Sequence, residues 1–371
     1  MPSGKQKIII SSVLKPVNDV RSYHKIGLSL IPHFKEAELH IIGYQASEEM
    51  KTHVEGVYFY PLFSFSRLSV PRLFVSLQFF FLLLKLKPSL IICTSYELLG
   101  STVLTKLFFR TKVIYDVQED YFKNIYYAST LPSFIRKPLA YFIRSKEILW
   151  SWFVDHFFVA EKVYLEDVPF LKENATLLEN KAIQPEVVNE DKKRGLHFLI
   201  SGTLTKSFGI LEGIAFAKKM HEIDDSVRLT VIGHVPDSSF YQELLNLNNC
   251  SFIDLQLSLQ PITYPEITKA YHKADYLLLP YQWQPHTQGK IPTKLYDGLA
   301  HQIPMIIQEN ELLTSLMTEY DTTLFINYLS VNERECMQRL KEKTFYSKNV
   351  NKCFWDSEEI KLRTIVSQLI Y

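Results

Sequence analysis

Residues 288–307 combine a lysine, a carboxylate and a helix start within one short segment. Pro292 suits the first turn of a helix, because the N–H that proline lacks has no intrahelical partner there. A helix over 292–301 places Lys294 and Asp297 on one face near its start. The oriented N–H groups of a helix start favour an anion such as phosphate. On spacing alone, the favoured interpretation of this pair is a solvated ion pair worth roughly 0.2–0.5 kcal/mol.

A resemblance gives the segment a second interpretation. Residues 292–304 read Pro-x-Lys-Leu-Tyr-Asp-x-Leu-Ala-x-x-x-Pro. This resembles the donor-site signature Pro-x-Lys-Leu-x-Glu-x-x-Ala-x-Gly-x-Pro of family 4 glycosyltransferases, which have the two-domain GT-B fold and transfer sugars with retention. The resemblance implies that Asp297, which stands where the family has Glu, holds the ribose hydroxyls of a sugar nucleotide. Gln302 stands where the family has Gly.

The loop from Gly202 to Gly209, between a strand and a helix, is the second candidate phosphate site. Backbone N–H groups of such a loop can approach a diphosphate closely. The family pattern here is Gly-Arg-Leu-x-x-x-Lys-Gly, whose Arg and Lys neutralise the donor's diphosphate. This chain has Thr203 and Phe208 in those places. We expect Lys206, two positions away, to supply the missing charge, with help from Lys290 or Lys294 of the other loop, although lone loop lysines are usually only solvated.

The loop before the 292–301 helix completes the predicted donor site. The family's Glu-x7-Glu motif needs a carboxylate eight residues before Asp297, where this chain has Gly289. The contact to the donor sugar must therefore come from elsewhere, and backbone N–H groups of residues 286–290 are the candidates. The predicted nucleotide-sugar-binding residues are Gly202, Thr203, Lys206, Gly289, Lys290, Lys294 and Asp297.

Two polar segments in the first half of the chain directly follow predicted strands. Residues 95–99 and 113–125 resemble the His-Asp-x-Glu-Leu-Leu and Tyr-Asp-Val-His-Glu-Asp-Tyr segments of one branch of the family. Many members carry a His near the reacting sugar, where this chain has Gln118. A glutamine cannot take a proton, but it exchanges hydrogen bonds with a hydroxyl. In a retaining transfer the leaving diphosphate can assist the acceptor proton, so the resemblance assigns catalytic roles to Glu119, Gln118 and Lys206.

Charged residues near the ends of the first-half strands form the predicted acceptor site. They are Asp19, Arg21, Glu97, Asp116, Asp120 and Glu161. Clustered carboxylates shift one another's pKa values, whereas carboxylates after a strand are also common helix caps. Asp19 and Arg21 equally fit a local ion pair that orders the first loop. Glu161 equally fits a carboxylate that stabilises a helix start.

Composition and charge exclude several classes of protein. The 371 residues suffice for two domains, and 47% apolar with 22% charged residues is normal for a folded chain. A net charge of +1 gives no global case for nucleic acid. The four cysteines lack Cys-x-x-Cys spacing, so neither a zinc site nor a disulfide framework is predicted, and a reducing cytoplasm fits best. We expect no metal and no cofactor besides the donor substrate. The apolar run 8–14 is too short for a secretory signal.

Apolar strands alternate with helical patterns along the chain, which predicts parallel sheets with helices on both faces. The first loop, 14–25, lacks the glycines of a dinucleotide fingerprint, so a Rossmann dehydrogenase is disfavoured. The predicted strands are 7–12, 39–43, 90–93, 112–116 and 156–159 in the first half, and 196–201, 228–233, 251–254, 276–279 and 305–308 in the second.

These elements predict an α/β protein of two Rossmann-like domains that face a cleft, as in the GT-B fold. We assign residues 1–182 to the N-terminal, acceptor-side domain and 196–350 to the C-terminal, nucleotide-sugar-binding domain. The polar stretch 183–195 is the predicted linker. Residues 351–371 are predicted to form a helix that crosses back to the first domain.

Residues 63–87 contain a run of apolar residues that allows two interpretations. The run falls short of the ~20 residues that a membrane span needs. A helix with aromatic and leucine residues and basic flanks can lie in a membrane interface, but a helix packed on the sheet is the favoured interpretation. Family members often act on lipid-linked acceptors at the cytoplasmic face. Basic residues flank this run and line one side of the helix predicted at 131–152: Arg67, Arg72, Lys85 and Lys87, then Arg136, Lys137, Arg144 and Lys146.

The sequence thus predicts a retaining glycosyltransferase that moves a sugar from a nucleoside diphosphate to a hydroxyl of a glycan or lipid-linked saccharide. We place it in the biosynthesis of surface polysaccharides or glycoconjugates, in the cytoplasm or peripherally at the inner membrane face. One alternative is a GT-B sugar-nucleotide epimerase or hydrolase. Another is a catalytically silent relative that binds glycans or partner transferases, for which the residues at 118, 203, 208 and 289 are the best support. Lys294 and Asp297 argue against a pure scaffold.

Overall fold

The structure, a computed structural model, describes residues 5–45, 54–65, 69–127, 131–171, 174–185, 195–247, 250–346 and 348–371. The chain forms two compact units. The first unit is Met1–Asn180 with Trp355–Tyr371, and the second unit is Lys181–Phe354. Most of the predicted linker at 183–195 lies outside the described residues.

The first unit contains a seven-stranded parallel sheet in the order β3-β2-β1-β4-β5-β6-β7. Its central strands are buried on both faces, which explains their nearly continuous runs of Ile, Leu and Val. The five predicted strands are present, and β3 and β7 are additional. The strands are β1 (Lys7–Pro16), β2 (Glu38–Tyr44), β3 (Val57–Phe63), β4 (Leu90–Cys93), β5 (Lys112–Val117), β6 (His156–Val159) and β7 (Ala175–Leu177).

Helices cover both faces of the first sheet. A π-helical segment, Val20–Gly27, and the short helix α1 lie on one face, together with the C-terminal helix. On the other face, α2, α3 and α5 pack in that order along the sheet. The helices before residue 180 are α1 (Leu28–Leu30), α2 (Val75–Leu86), α3 (Tyr96–Phe109), α4 (Tyr121–Tyr126), α5 (Ser133–Ser151) and α6 (Tyr164–Asp167).

The second unit contains a six-stranded parallel sheet in the order β10-β9-β8-β11-β12-β13. All five predicted strands are present, and β13 is additional. The strands are β8 (His197–Thr203), β9 (Arg228–His234), β10 (Ile253–Ser258), β11 (Tyr276–Leu279), β12 (Met305–Gln308) and β13 (Thr323–Ile326). The helices are α7 (Ile210–Ile223), α8 (Ser238–Leu245), α9 (Tyr264–Lys273), α10 (Thr293–Ala300), α11 (Glu311–Met317) and α12 (Glu333–Glu342).

The last helix, α13 (Asp356–Ile370), returns to the first unit, as the sequence predicted. Trp355, just before it, is buried and donates from Nε1 to Ser29 Oγ at 2.9 Å. Glu358 is also buried and accepts a hydrogen bond from the backbone N–H of Glu179 at 3.0 Å. These contacts tie α13 to the same face of the sheet as α1.

Neither a membrane-spanning helix nor a metal-binding cluster is present in the described ranges. None of their helices is both long enough and apolar enough to span a bilayer. Nor do they contain three or more His, Cys, Asp or Glu side chains grouped so that they could hold a metal ion.

Candidate functional site

Two glycines bound the loop from the carboxyl end of β8 to the start of α7, in the second unit: Gly202 is half-buried and Gly209 is buried. Gly202 has φ +104° and Gly209 has φ +72°, both in the left-handed region that disfavours side chains. A Cβ added at Gly209 would lie 1.9 Å from the carbonyl oxygen of Pro280, which follows β11. The chain after β11 therefore packs directly against the start of α7, and no side chain fits between them.

Lys294, in the first turn of α10, lies across this glycine backbone. A Cβ added at Gly202 would lie only 2.4 Å from Lys294 Cε. The ammonium of Lys294 contacts Asp297 Oδ2 at 3.2 Å, and both side chains are mostly buried. The fold thus brings together the two segments that separately resemble parts of a donor site.

The carboxylate of Asp297 is held in place by a hydrogen bond from a buried tyrosine. Tyr271, on α9, donates from its hydroxyl to Asp297 Oδ2 at 3.1 Å, and Ser201 Oγ donates to the Tyr271 hydroxyl at 3.3 Å. Burial, and then the charge of Asp297, raise the pKa of Tyr271 well above its ordinary value. Tyr271 therefore remains a donor at physiological pH. Within the described residues, no hydrogen bond reaches Asp297 Oδ1, so that oxygen can accept one from a ligand hydroxyl.

His301, at the end of α10, supports the same network from the core. Its ring centroid lies 4.8 Å from that of Tyr271. Burial lowers the pKa of His301 to about 4, although the charge of Asp297 opposes this shift. His301 is therefore neutral near pH 7, and Lys294 is the cation that contacts Asp297.

The loop before α10 uses several of its own backbone N–H groups. Thr287 and Gln288 donate to the carbonyl of Gln284, each at 2.9 Å, and Lys290 donates to the carbonyl of Thr287 at 3.1 Å. Gly289 has φ +80°. The predicted sugar contacts from residues 286–290 are therefore restricted to the N–H groups of His286 and Gly289.

Lys206, the predicted diphosphate contact, points toward α8. Its ammonium lies 2.5 Å from Glu243 Oε2 and 5.5 Å from the centre of the Phe240 ring. Both charged side chains are exposed, and exposed ion pairs are worth only ~0–1 kcal/mol. The side chain of Lys206 can therefore leave Glu243 at little cost in free energy. The predicted role of Lys206, and that of the neighbouring exposed Thr203, stay predictions.

Phe208, which stands where the family has a lysine, makes an aromatic contact instead. Its ring meets the ring of Tyr281 edge to face, with centroids 5.3 Å apart. Burial raises the pKa of Tyr281 to about 12, and the nearby charge of Lys294 opposes the shift. At this edge of the second sheet an aromatic pair therefore occupies the place that the family pattern gives to a second cation.

In the first unit, the predicted acceptor residues Arg21 and Asp116 form a buried two-pronged ion pair. Arg21 donates from Nε to Asp116 Oδ2 at 2.9 Å and from Nη2 to Asp116 Oδ1 at 2.7 Å. Nη2 also donates to the carbonyl of Leu178 at 3.0 Å. Nη1 is buried and has no hydrogen-bond partner in the described part of the chain. It is the one nitrogen of this guanidinium that makes no hydrogen bond to the described residues.

Gln118 and Asp19 extend the group around Arg21. Gln118 donates from Nε2 to Asp116 Oδ2 at 2.7 Å. Asp19 accepts from the backbone N–H groups of Arg21 and Ser22, at 3.1 and 2.9 Å, and so caps the π-helical segment. The ion pair of Arg21 is thus with Asp116 and not with its neighbour Asp19. The charge of Glu161 also acts on Arg21.

Asp120 belongs to a second buried charged group, with Arg144 and Glu147. Asp120 caps α4 by accepting from the N–H of Lys123 at 3.2 Å, and it pairs with the Arg144 guanidinium. Glu147 accepts from the hydroxyl of Tyr115 at 2.8 Å and lies 3.4 Å from Arg144 Nη1. The interpretation of Arg144 as part of an exposed basic side is wrong, because its side chain is needed to neutralise two buried carboxylates.

Glu97 and Glu119 make their hydrogen bonds outside these two groups, although the charge of Glu97 also acts on Glu147. Glu97, in the first turn of α3, pairs with Arg72. Glu119 is exposed and accepts from Asn124 Nδ2 at 2.8 Å. Arg21, Asp116 and Gln118 therefore form the core of the candidate acceptor-side site, and the roles of Glu97 and Glu119 stay predictions.

Glu147 should make the stability of the first unit depend on pH. Burial raises its pKa to about 7, from an ordinary value of 4.5, against the opposing charge of Arg144. The folded state then binds more protons than the unfolded state, so this stabilising effect is complete below about pH 4.5 and is lost as the pH rises through about 7. The free energy of unfolding of the wild type, measured with denaturant, should fall as the pH rises across this range. In Glu147→Gln this fall should be absent. An unchanged slope in Glu147→Gln would rule out Glu147 as its origin, and Glu119→Gln is the exposed control.

Comparison with known proteins identifies the architecture. Sucrose-phosphate synthase from Thermosynechococcus elongatus superposes with a TM-score of 0.72 at 12% identity, over 98% of this chain and 99% of that chain. The catalytic domain of Starch Synthase IV from Arabidopsis thaliana, bound to ADP and acarbose, gives 0.63 at 11% identity over 99% of each chain. The chain has the GT-B fold.

The structural similarity extends to an epimerase. UDP-GlcNAc 2-epimerase from Methanocaldococcus jannaschii gives a TM-score of 0.60 at 12% identity, over 98% of this chain and 100% of that chain. No protein-family model and no curated protein sequence matches the chain. The similarity therefore establishes a GT-B fold whose structural neighbours include several glycosyltransferases.

Several residues of this GT-B chain's candidate site were not predicted from the sequence. Tyr271, Ser201 and His301 support Asp297, yet none of them stands at a defined position of the patterns that the sequence resembles. Tyr281 had a signal, because it directly follows the predicted strand 276–279 at the edge where sites form in this fold. Glu147 had none, since its helical pattern is that of an ordinary surface helix.

Proposed function

We propose that this protein is a retaining glycosyltransferase of the family 4 type, whose second unit binds a nucleoside diphosphate sugar. The observation that carries the proposal is the position of Lys294 across the bare backbone of Gly202, beside the anchored carboxylate of Asp297. A positive charge over a glycine turn suits a diphosphate. A fixed carboxylate with one open oxygen suits the hydroxyls of a ribose.

The same arrangement supports departure of the nucleoside diphosphate. Negative charge develops on the leaving diphosphate as the bond to the sugar breaks. Lys294 and the N–H groups at the start of α7 would stabilise that charge. Electrostatic stabilisation of this kind is the largest contribution to rate enhancement in many enzymes. The N–H groups of His286 and Gly289 would contact the transferred sugar. ADP in the starch synthase neighbour supports a nucleoside diphosphate as the donor's leaving group.

The first unit would supply the acceptor side. Arg21 Nη1 and the amide of Gln118 are donors beside the buried carboxylate of Asp116. They suit the hydroxyls of a glycan or lipid-linked saccharide. Peripheral membrane contact through residues 63–87 would bring a lipid-linked acceptor to this unit. The proposed setting is therefore the synthesis of surface polysaccharides or glycoconjugates.

A panel of nucleoside diphosphates and sugar nucleotides tests the donor assignment. A ligand present at 100 times its dissociation constant should add roughly 2.7 kcal/mol to the stability of the protein. Thermal unfolding should therefore shift upward with one base and its sugar nucleotides, and not with nucleosides that lack phosphates. No shift across the panel would favour the catalytically silent alternative, which the residues at 118, 203, 208 and 289 support.

An epimerase is the second candidate function, because UDP-GlcNAc 2-epimerase is among the structural neighbours. The two activities differ in their need for an acceptor. Incubation of the stabilising sugar nucleotide with the protein alone should leave the sugar unchanged if the protein is a transferase. Conversion to an epimer, or release of free sugar at a useful rate without acceptor, would favour the epimerase or hydrolase.

Lys206 provides a specific prediction about the diphosphate. If its ammonium leaves Glu243 to contact the donor, Lys206→Ala should weaken binding of the nucleoside diphosphate about tenfold and binding of the nucleoside hardly at all. Titration calorimetry with both ligands measures the difference. Lys219→Ala, which removes another exposed ion-paired lysine of the same unit, is the matched control. Equal losses for both ligands would argue against a phosphate contact.

A further inference from the structure

The helix layer formed by α2, α3 and α5 buries one side and exposes large apolar residues on the other. Its inner side packs Phe79, Leu99 and Ile143 toward the first sheet. More than half of the large apolar side chains exposed in the described part of the chain lie within residues 70–153. They include Leu73, Leu77, Phe81, Leu107, Phe108, Phe134, Tyr141, Phe142, Leu149 and Trp152. Singly exposed apolar residues are normal, but a cluster of this kind marks an interaction surface.

These exposed side chains belong to the three neighbouring helices or directly flank them, and together they are here called the apolar face. Helix α2 packs along α3, where the hydroxyls of Ser76 and Ser101 lie 2.7 Å apart and the rings of Phe80 and Phe108 lie 6.3 Å apart. Helix α3 packs along α5, where Lys146 lies over the ring of Tyr96. The apolar face therefore spans the whole layer and extends well beyond residues 63–87.

The charges of the apolar face have one sign. Lys85, Arg110 and Lys137 are exposed at or next to the ends of the three helices. The only carboxylates within these helices are Glu97, which pairs with Arg72, and Glu147, which is buried. An apolar surface with aromatic residues and a basic rim matches the interface of an anionic lipid bilayer, in which the apolar side chains enter the headgroup region and the cations meet lipid phosphates.

A second copy of the chain fits this surface less well. In a symmetric dimer the same patch faces itself, so the basic rims of two copies would approach one another without acidic partners. Like charges at such an interface oppose association. The charge pattern therefore favours an anionic surface of a different kind of partner.

We propose that the apolar face docks the first unit on an anionic lipid bilayer, with α2, α3 and α5 lying in the plane of the interface. This extends the membrane contact included in the proposed function from one helix to three. The docking proposal depends only on residues of the first unit, and it does not depend on which donor the second unit binds. A failure of membrane docking would therefore leave nucleotide binding by the second unit unaffected, and the two proposals fail separately.

Flotation of the full chain with vesicles tests the docking surface. The protein should float with vesicles of equal parts phosphatidylcholine and phosphatidylglycerol, and much less with phosphatidylcholine alone. Phe81→Ser/Phe108→Ser/Phe142→Ser removes one ring from each helix and should lower partitioning at least about tenfold. Leu329→Ser/Ile360→Ser is the matched control: its residues are 70% and 68% exposed, close to the 61–67% of the three phenylalanines, but lie outside the apolar face.

Two further measurements protect the test against a folding artefact. Lys85→Gln/Arg110→Gln/Lys137→Gln leaves the apolar side chains in place and should reduce binding to the anionic vesicles severalfold. Brominated lipids should quench the fluorescence of Trp152, which is 74% exposed, and Trp152→Phe should abolish that component. Absence of flotation by the wild type would overturn the proposal. A second outcome would also overturn it: the wild type is a dimer in sedimentation velocity, the triple serine variant is a monomer, and neither protein binds vesicles.

Discussion

Replacing Asp297 with alanine should weaken the binding of a nucleoside diphosphate by about 1–3 kcal/mol, the cost of losing hydrogen bonds to a charged group. The carboxylate is fixed before a ligand arrives, because Tyr271 donates to it at 3.1 Å and Lys294 contacts it at 3.2 Å. Its loss removes the proposed ribose acceptor and frees the ammonium of Lys294 from its present position. Titration calorimetry with the nucleotide selected by the panel measures the change.

Two further variants separate charge from structure at this position. Asp297→Asn keeps a carbonyl oxygen for Tyr271 but removes the negative charge, so it should retain the fold and lose an intermediate amount of affinity. Asp254→Ala removes an exposed carboxylate near the opposite, amino end of β10 and should leave affinity unchanged. Unchanged affinity in Asp297→Ala would remove Asp297 from the nucleotide site.

Replacing Arg21 with methionine should lower the free energy of unfolding of the first unit by about 3–5 kcal/mol, because it leaves a buried carboxylate without its cation. Asp116 is fully buried and takes two hydrogen bonds from Arg21. Gln118, the other side chain that donates to it, is neutral. Because the chain has two units, hydrogen exchange resolved by segment is the suitable measurement, and protection in β1, β4 and β5 should fall.

A double replacement tests the reason for that loss. Arg21→Met/Asp116→Leu removes both charges from the buried site, and replacing a buried ion pair by apolar residues is often neutral. The double variant should therefore recover most of the stability lost in Arg21→Met. Lys123→Met, which breaks the more exposed pair with Asp167, should cost less than about 1 kcal/mol. A double variant as unstable as the single one would show that packing, and not the uncompensated charge, dominates.

Burial explains which strands could be predicted. Strands such as β4 and β11 are buried along their whole length, and their apolar runs identify them without reference to the rest of the chain. β3 lies at the edge of its sheet, mixes exposed with buried positions and contains Pro61, so its sequence lacks that pattern. β7 has only three residues. Such strands are recognised by their neighbours in the sheet and not by their own composition.

The candidate sites divide in the same way. Each half of the donor-side site has a local pattern, which is why Gly202, Lys294 and Asp297 could be chosen from the sequence. The side chain of Lys294 lies across Gly202 because α10 packs on β11, the strand next to β8, and no local pattern encodes this packing. Lys206 was also chosen from the sequence, although it stands two positions from the lysine of the pattern, and it points toward Glu243.

The sequence by itself determined that buried strands alternate with helices along the chain, and therefore that the sheets are parallel. It also determined the return of the last helix and the residue types available at the strand ends. Only the tertiary structure decided which charges are buried together. Arg21 and Asp116 are 95 residues apart in the chain, and they meet because the π-helical segment that follows β1 packs beside the end of β5. It also decided which apolar residues of α2, α3 and α5 face water, because these helices carry apolar residues on both sides and only the packed neighbours show which side is covered.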